Sequence, residues 1–176
     1  GGLMFFLAGG SGLVVSAVFD WNWTWQAVKL VVSPLWFMGV YLMLVLVLPV
    51  AIWLHERFDT IVLVTLAGFA GLVDVARFRY DVPFVGLINM VLVWGLCHQL
   101  GFLYDRIASS PRTVDWTLLI GGGFALAALV GSGLYPGSMV GVPGERSNMA
   151  PPTLCIVALV VFQAGVAEIL RPRIEA

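Results

Sequence analysis

The sequence predicts an all-α fold, a polytopic bundle of about six transmembrane helices. Three observations carry that expectation. The 176 residues are 60% hydrophobic and only 11% charged, with a mean hydropathy of +0.98, whereas a soluble domain carries about 25% charged residues. The apolar stretches match a bilayer in length and stop at charge or proline, which selects helices over the short alternating strands of a barrel. The formal net charge is −1 and no Lys/Arg-rich run is present, so neither nucleic-acid binding nor a headgroup clamp is expected.

Residues 1–19 form the first predicted span, in which Ala8, Gly12 and Ser16 repeat at a spacing that lets helices approach closely. Gly1 and Gly2 open directly into an apolar run with no cationic leader, as though inside a helix. The expectation is therefore a piece of a longer multi-span protein, organised as a single transmembrane domain over residues 1–176. Residues 20–33 read as a connector whose Trp21, Trp23 and Trp25 form an interfacial belt.

Residues 35–54 make the second span, entered through Pro34, kinked at Pro49 and ended by His55-Glu56-Arg57. The third, 60–78, carries Asp74, Arg77 and Arg79 at its far end, and these charges must face protein, water or headgroups. The fourth, 84–103, bears Asn89 and the pair His98-Gln99. The fifth, 114–134, repeats the small-residue spacing at Gly123, Ala127 and Gly131. Residues 135–152, YPGSMVGVPGERSNMAPP, hold four prolines and three glycines and predict irregular backbone. The sixth span, 153–170, is closed by Arg171-Pro172-Arg173, and no internal repeat is evident.

Six alternating crossings place Arg57, Arg106, Arg112, Arg171 and Arg173 on one side and Lys29, Arg77, Arg79 and Arg146 on the other. The positive-inside rule then favours a cytoplasmic C-terminus, with the 135–152 loop outside. Cys97 and Cys155 lie about 17 Å apart in depth at 1.5 Å per residue, too far for a disulfide. Neither has the partners of a zinc site, and no metal is expected.

His98 is costly to bury in an apolar span without a polar partner or a water-filled cavity. Proton transfer or substrate contact and a plain interhelical hydrogen bond both fit it. His55, at a helix end beside Glu56 and Arg57, reads as an ordinary exposed imidazole, on the same membrane face as His98. At the opposite face Asp74, Arg77, Arg79 and Asp81 converge with Glu145, Arg146 and Asn148. Asp74 and Arg77 are three residues apart and can pair. The arginines also present a fork suited to a hydroxylated or anionic molecule. Candidate substrate-binding residues are thus His98, Gln99, Asp74, Arg77, Glu145, Arg146 and Asn148. No G-x-S-x-G, phosphate-binding loop or H-E-x-x-H occurs. Residue chemistry alone stops at a polytopic membrane protein.

Four segments in order carry a resemblance: PLWFMGVYL at 34–42, LVDVARF at 72–78, HQLGF at 98–102, and MVGVPGE at 139–145 followed by SNMAPPT at 147–153. Together they resemble the actinobacterial branch of the membrane-bound acyltransferase-3 family, over most of the chain from Pro34 to Leu170. FFLAGG at 5–10 is similar to an early family helix. The resemblance implies a multi-pass plasma-membrane enzyme that moves an acyl group from a cytoplasmic acyl-CoA donor, with no bound cofactor. The acceptor implied is a sugar, glycan or lipid hydroxyl of the cell envelope. The family also implies a catalytic histidine near the first transmembrane helix, followed by an arginine-bearing cytoplasmic region. No residue of this chain matches that histidine, and His98 belongs to a different segment, so no catalytic residue is assigned. A noncatalytic subunit docking a membrane-protein partner through glycine-rich faces, and a small transporter with interrupted helices, are the rival expectations.

Overall fold

The structure is a computed structural model that describes the backbone of residues 21–139 and 147–174, with side-chain surroundings from residue 37 onward. The expected first span and its Ala8/Gly12/Ser16 stripe lie outside the described residues. The elements are α1 (Trp21–Phe58), α2 (Thr60–Arg79), a 3-10 turn (Val85–Ile88) leading into α3 (Asn89–Gly101), a short α4 (Tyr104–Ala108), α5 (Arg112–Gly131) and α6 (Leu154–Ile174). Among the described residues no strand forms beyond an isolated bridge between Met149 and Pro152. The fold is all-α, as lipid demands of a chain that must satisfy its own backbone groups.

Phe37–Phe58, Thr60–Arg79, Arg112–Gly131 and Leu154–Ile174 are long and apolar enough to cross a membrane, and Val85–Gly101 is a shorter apolar segment. The chain forms two compact units, Gly1–Leu46 and Val47–Ala176. In the first, the described residues are the N-terminal part of α1. The second holds everything that follows.

Three boundaries differ from expectation. The connector proposed at 20–33 is helical from Trp21 onward. The tryptophans repeat every second residue, but no glycine or proline punctuates them before Pro34, so nothing stops helix propagation. Helix α1 also runs through Pro34 and Pro49, each of which removes one backbone donor without ending the helix. It turns into α2 at Asp59, whose φ is 47° and whose N–H still reaches the His55 carbonyl at 2.8 Å. The expected stop at Arg171-Pro172-Arg173 is also passed, since α6 continues to Ile174 with Pro172 inside its last turns.

Helices α5 and α6 pack as an antiparallel pair at backbone contact. A Cβ added to Gly122 would sit 2.8 Å from Phe162 Cα, and one added to Gly165 would sit 2.7 Å from Leu119 Cα. This corrects the stripe expected at Gly123, Ala127 and Gly131. Gly123 meets only the Phe162 ring, at 3.3 Å, and Ala127 and Gly131 are exposed. Successive residues point about 100° apart at 3.6 residues per turn, so of the 121–123 triplet Gly122 meets the partner's backbone, Gly123 reaches only a side chain, and Gly121 faces away.

Ala70, Val93 and Ile156 form the core where α2, α3 and α6 meet, with Met139 and Met149 packed onto it from the loop. Large apolar side chains such as Val64, Leu72, Ile120 and Phe124 point outward, the arrangement that suits a lipid solvent. Cys97 and Cys155 are both free thiols.

Candidate functional sites

Two polar clusters occupy opposite ends of the second unit, separated along α3 by the ten-residue step from Asn89 to Gln99, about 15 Å of helix.

The first is built around Asp74, a fully buried carboxylate near the end of α2. A buried carboxylate must be met by donors. Asn89 Nδ2 donates to one oxygen at 2.7 Å, and the backbone N–H of Leu154 donates to the other at 3.0 Å. Leu154 opens α6, so Asp74 satisfies one of the orphan donors at that helix end and complements its positive dipole. The Tyr135 hydroxyl adds a third hydrogen bond. Burial foremost, and then the neighbouring Asp74 carboxylate, pushes the Tyr135 phenol well above its usual range, so it stays a donor. Asn89 Nδ2 also approaches the Ala70 carbonyl at 3.4 Å, while its Oδ1 is buried without a partner among the described residues.

Arg77 lies one turn on from Asp74. Its Nη1 donates to the Pro151 carbonyl at 3.0 Å, and its guanidinium lies 4.7 Å from the Phe78 ring centroid. Gly86 makes room for the arginine stem, because a Cβ there would sit 2.9 Å from Arg77 Cδ. The expected Asp74–Arg77 pairing takes an electrostatic form, with the carboxylate oxygens themselves held by neutral donors. Arg79 and Asp81 are exposed beyond them.

Asn148 belongs to the same end but is committed to its own loop. Its Nδ2 donates to the carbonyls of Pro136 at 2.6 Å and Ser138 at 3.1 Å. Its Oδ1 accepts from Thr153 Oγ1 at 2.9 Å, and its backbone binds Ser138 and Thr153. With both amide donors engaged, Asn148 is a staple rather than a free recognition group. Glu145 and Arg146 lie outside the described residues.

The second cluster joins the end of α1 to the end of α3. Gln99, 2% exposed, donates from Nε2 to the Ala51 carbonyl at 2.8 Å, and its Oε1 lies 3.1 Å from His55 Nδ1. The rings of His55 and His98 meet the same Phe102 ring, at 5.2 Å and 4.9 Å between centroids. Nearby helix ends are fixed by charge. Arg106 and Asp59 form an exposed ion pair at 3.1 Å. Arg171 pairs with the buried Glu168 at 3.0 Å and donates to the Ala108 carbonyl at 3.0 Å.

Sequence reasoning read His55 as an ordinary exposed imidazole, took Tyr135 only as the start of the loop, and passed over Gly86 and Glu168. The i,i+3 spacing of Glu168 and Arg171 was a readable signal. The contact between His55 and Gln99, 44 residues apart, was not. Among the described residues, no group of His, Cys, Asp and Glu side chains comes together that could hold a metal ion.

The apolar helices and buried polar clusters define a polytopic helical membrane protein. The chain belongs to the acyltransferase-3 family: the family model described as an acyltransferase domain matches residues 2–175. No curated protein and no solved structure matches the chain.

Proposed function

We propose that this protein transfers an acyl group from cytoplasmic acyl-CoA to a hydroxyl of a sugar, glycan or lipid of the cell envelope, working in the plasma membrane. The observation that carries this reading is the family match, which spans residues 2–175. The wording of residues 139–153 supports the finer placement in the actinobacterial branch.

Orientation follows from charge. Arg57, Arg106, Arg112, Arg171 and Arg173 gather at the His55 end of the second unit, against Arg77 and Arg79 at the Asp74 end. The positive-inside rule makes the His55 end cytoplasmic, and with it the C-terminus. Acyl-CoA would then arrive beside the two imidazoles, where Arg57 and Arg112 are exposed and suit its phosphates. The acceptor end is the buried Asp74 cluster beneath the loop, with Arg77 as its cation. Transfer requires a base to take the acceptor hydroxyl proton as the oxygen attacks the thioester carbonyl.

The test is acyl transfer in membranes containing the intact protein, supplied with acyl-CoA labelled in its acyl chain. Label should pass into envelope lipid or glycan only when the protein is present. Its failure to do so would turn the reading toward a noncatalytic membrane subunit.

A further inference from the structure

Helix α2 carries its own depth scale. Its 20 residues, Thr60–Arg79, rise about 30 Å at 1.5 Å each, which is the thickness of a bilayer's hydrocarbon core. Charged and aromatic groups mark both limits. Arg57 and Phe58 are exposed at one. At the other, Arg79 and Asp81 are exposed beside Tyr80 and Phe84, whose rings are left open at 72% and 84% exposure, as suits a headgroup boundary. Asp74 lies five residues inside that second limit, about 8 Å below it.

The surroundings of Asp74 agree with that depth. On α2 an exposed apolar face runs through Ile61, Val64, Leu72 and Val75, so it reaches past Asp74. On α3, Leu87, Ile88 and Val91 are exposed on either side of the buried Asn89. Exposed apolar side chains on both helices put hydrocarbon rather than water around this level. On the aqueous side the chain closes its own approach. The Pro151 carbonyl takes the Arg77 guanidinium, the Tyr135 hydroxyl sits on Asp74, and Ser147, Asn148 and Thr153 are buried. The bond from the Leu154 N–H to Asp74, 3.0 Å long, starts α6 at the same depth. Residues 147–153 therefore descend below the end of α2 as irregular backbone, which lipid tolerates only where protein buries it.

We infer that the acceptor reaches the Asp74 end sideways from the surrounding leaflet, and that its hydroxyl is carried on a membrane lipid, in the headgroup or on a glycan linked to it; this rests on the acyltransferase reading above and narrows it. A sugar dissolved in water would have to shed the water from each of its hydroxyls to come this deep. A lipid-borne hydroxyl is held at the boundary by its own chains and needs only a short descent. In the transfer its oxygen bonds to the acyl carbon, the C–S bond of the thioester breaks, and the hydroxyl proton leaves on the CoA thiol.

Two experiments on the intact protein test this, one for depth and one for the acceptor. A nitroxide is attached at Val75→Cys or at Tyr80→Cys, with Cys97 and Cys155 replaced by alanine, in phosphatidylcholine nanodiscs. Its collisions with oxygen and with a water-soluble nickel chelate are compared by electron paramagnetic resonance. Position 75 should favour oxygen and position 80 the chelate. Equal access of the chelate to both positions overturns the proposal, whatever the protein transfers. For the acceptor, washed membranes containing the protein receive acyl-CoA labelled in the acyl chain, with and without a mixture of free methyl glycosides. Label should enter base-labile esters that extract with the lipids, and added glycosides should not reduce it. Label confined to the glycosides, or to glycan free of lipid, overturns the lipid acceptor and leaves the acyltransferase reading intact. No protein-dependent label at all overturns that reading and the acceptor with it, while the depth of Asp74 stands on the first experiment.

Discussion

Replacing Gly165 by alanine should separate α5 from α6. The added Cβ would lie 2.7 Å from Leu119 Cα and 2.9 Å from the Leu118 carbonyl carbon. Carbon atoms pack best at about 3.5–4.0 Å, so the helices must part by roughly 1 Å. The obstructing atoms are backbone and cannot rotate aside, which places the cost near the upper end of the usual overpacking range of about 1–3 kcal/mol. Alanine returns about 1 kcal/mol of helix propensity, leaving a net loss of about 2 kcal/mol. Gly121→Ala is the control: nothing lies within 4 Å of its added Cβ, so it should gain up to about 1 kcal/mol. Equilibrium unfolding in mixed micelles with increasing SDS, followed by circular dichroism, should give opposite signs for the two. A Gly165→Ala protein as stable as the parent, or equal shifts for both variants, would refute the packing argument.

The Asp74 cluster gives a second expectation. Asp74→Ala removes the acceptor of the Leu154 N–H and of the Tyr135 hydroxyl and leaves Asn89 Nδ2 only its long approach to the Ala70 carbonyl, at about 1–3 kcal/mol for each buried donor left unmet. Asp74→Asn keeps one acceptor oxygen and should cost about half as much, so thermal unfolding in detergent should rank Ala below Asn below the parent. Equal midpoints for all three would contradict the donor count. Asn148→Ala removes the bonds to Pro136, Ser138 and Thr153, and should speed protease cleavage within residues 135–152 while cleavage elsewhere is unchanged. An unaltered cleavage rate would show that the staple does not hold the loop.

Much of the helical fold was legible because lipid imposes a simple length and composition rule on each span. What was lost depended on neighbours. Three consecutive glycines at 121–123 offer three possible faces, and only the position of Phe162 on α6 selects Gly122. The tryptophans at 21, 23 and 25 resemble an interfacial connector by spacing, yet the backbone there contains no breaker and is helical. At the Asp74 end, sequence reasoning correctly brought Asp74 and Arg77 to the loop, since both are too polar for lipid. It could not foresee that the carboxylate would engage the first N–H of α6, or that Asn148 would spend its amide on Pro136 and Ser138. His55 looked ordinary beside Glu56 and Arg57. What the sequence could not show is its contact with Gln99, whose amide is oriented by a carbonyl on His55's own helix.

The central claim, that this membrane protein of the acyltransferase-3 family moves an acyl group to an envelope hydroxyl, is tested most directly by one transfer measurement. Membrane vesicles with the intact protein, and matched vesicles without it, receive acyl-CoA labelled in the acyl chain from the face bearing the C-terminus. The account predicts label in a base-labile ester on lipid or glycan, dependent on the protein and on presentation of the donor at that face. Equal labelling in both sets of vesicles, over a range of acyl-chain lengths, would contradict it.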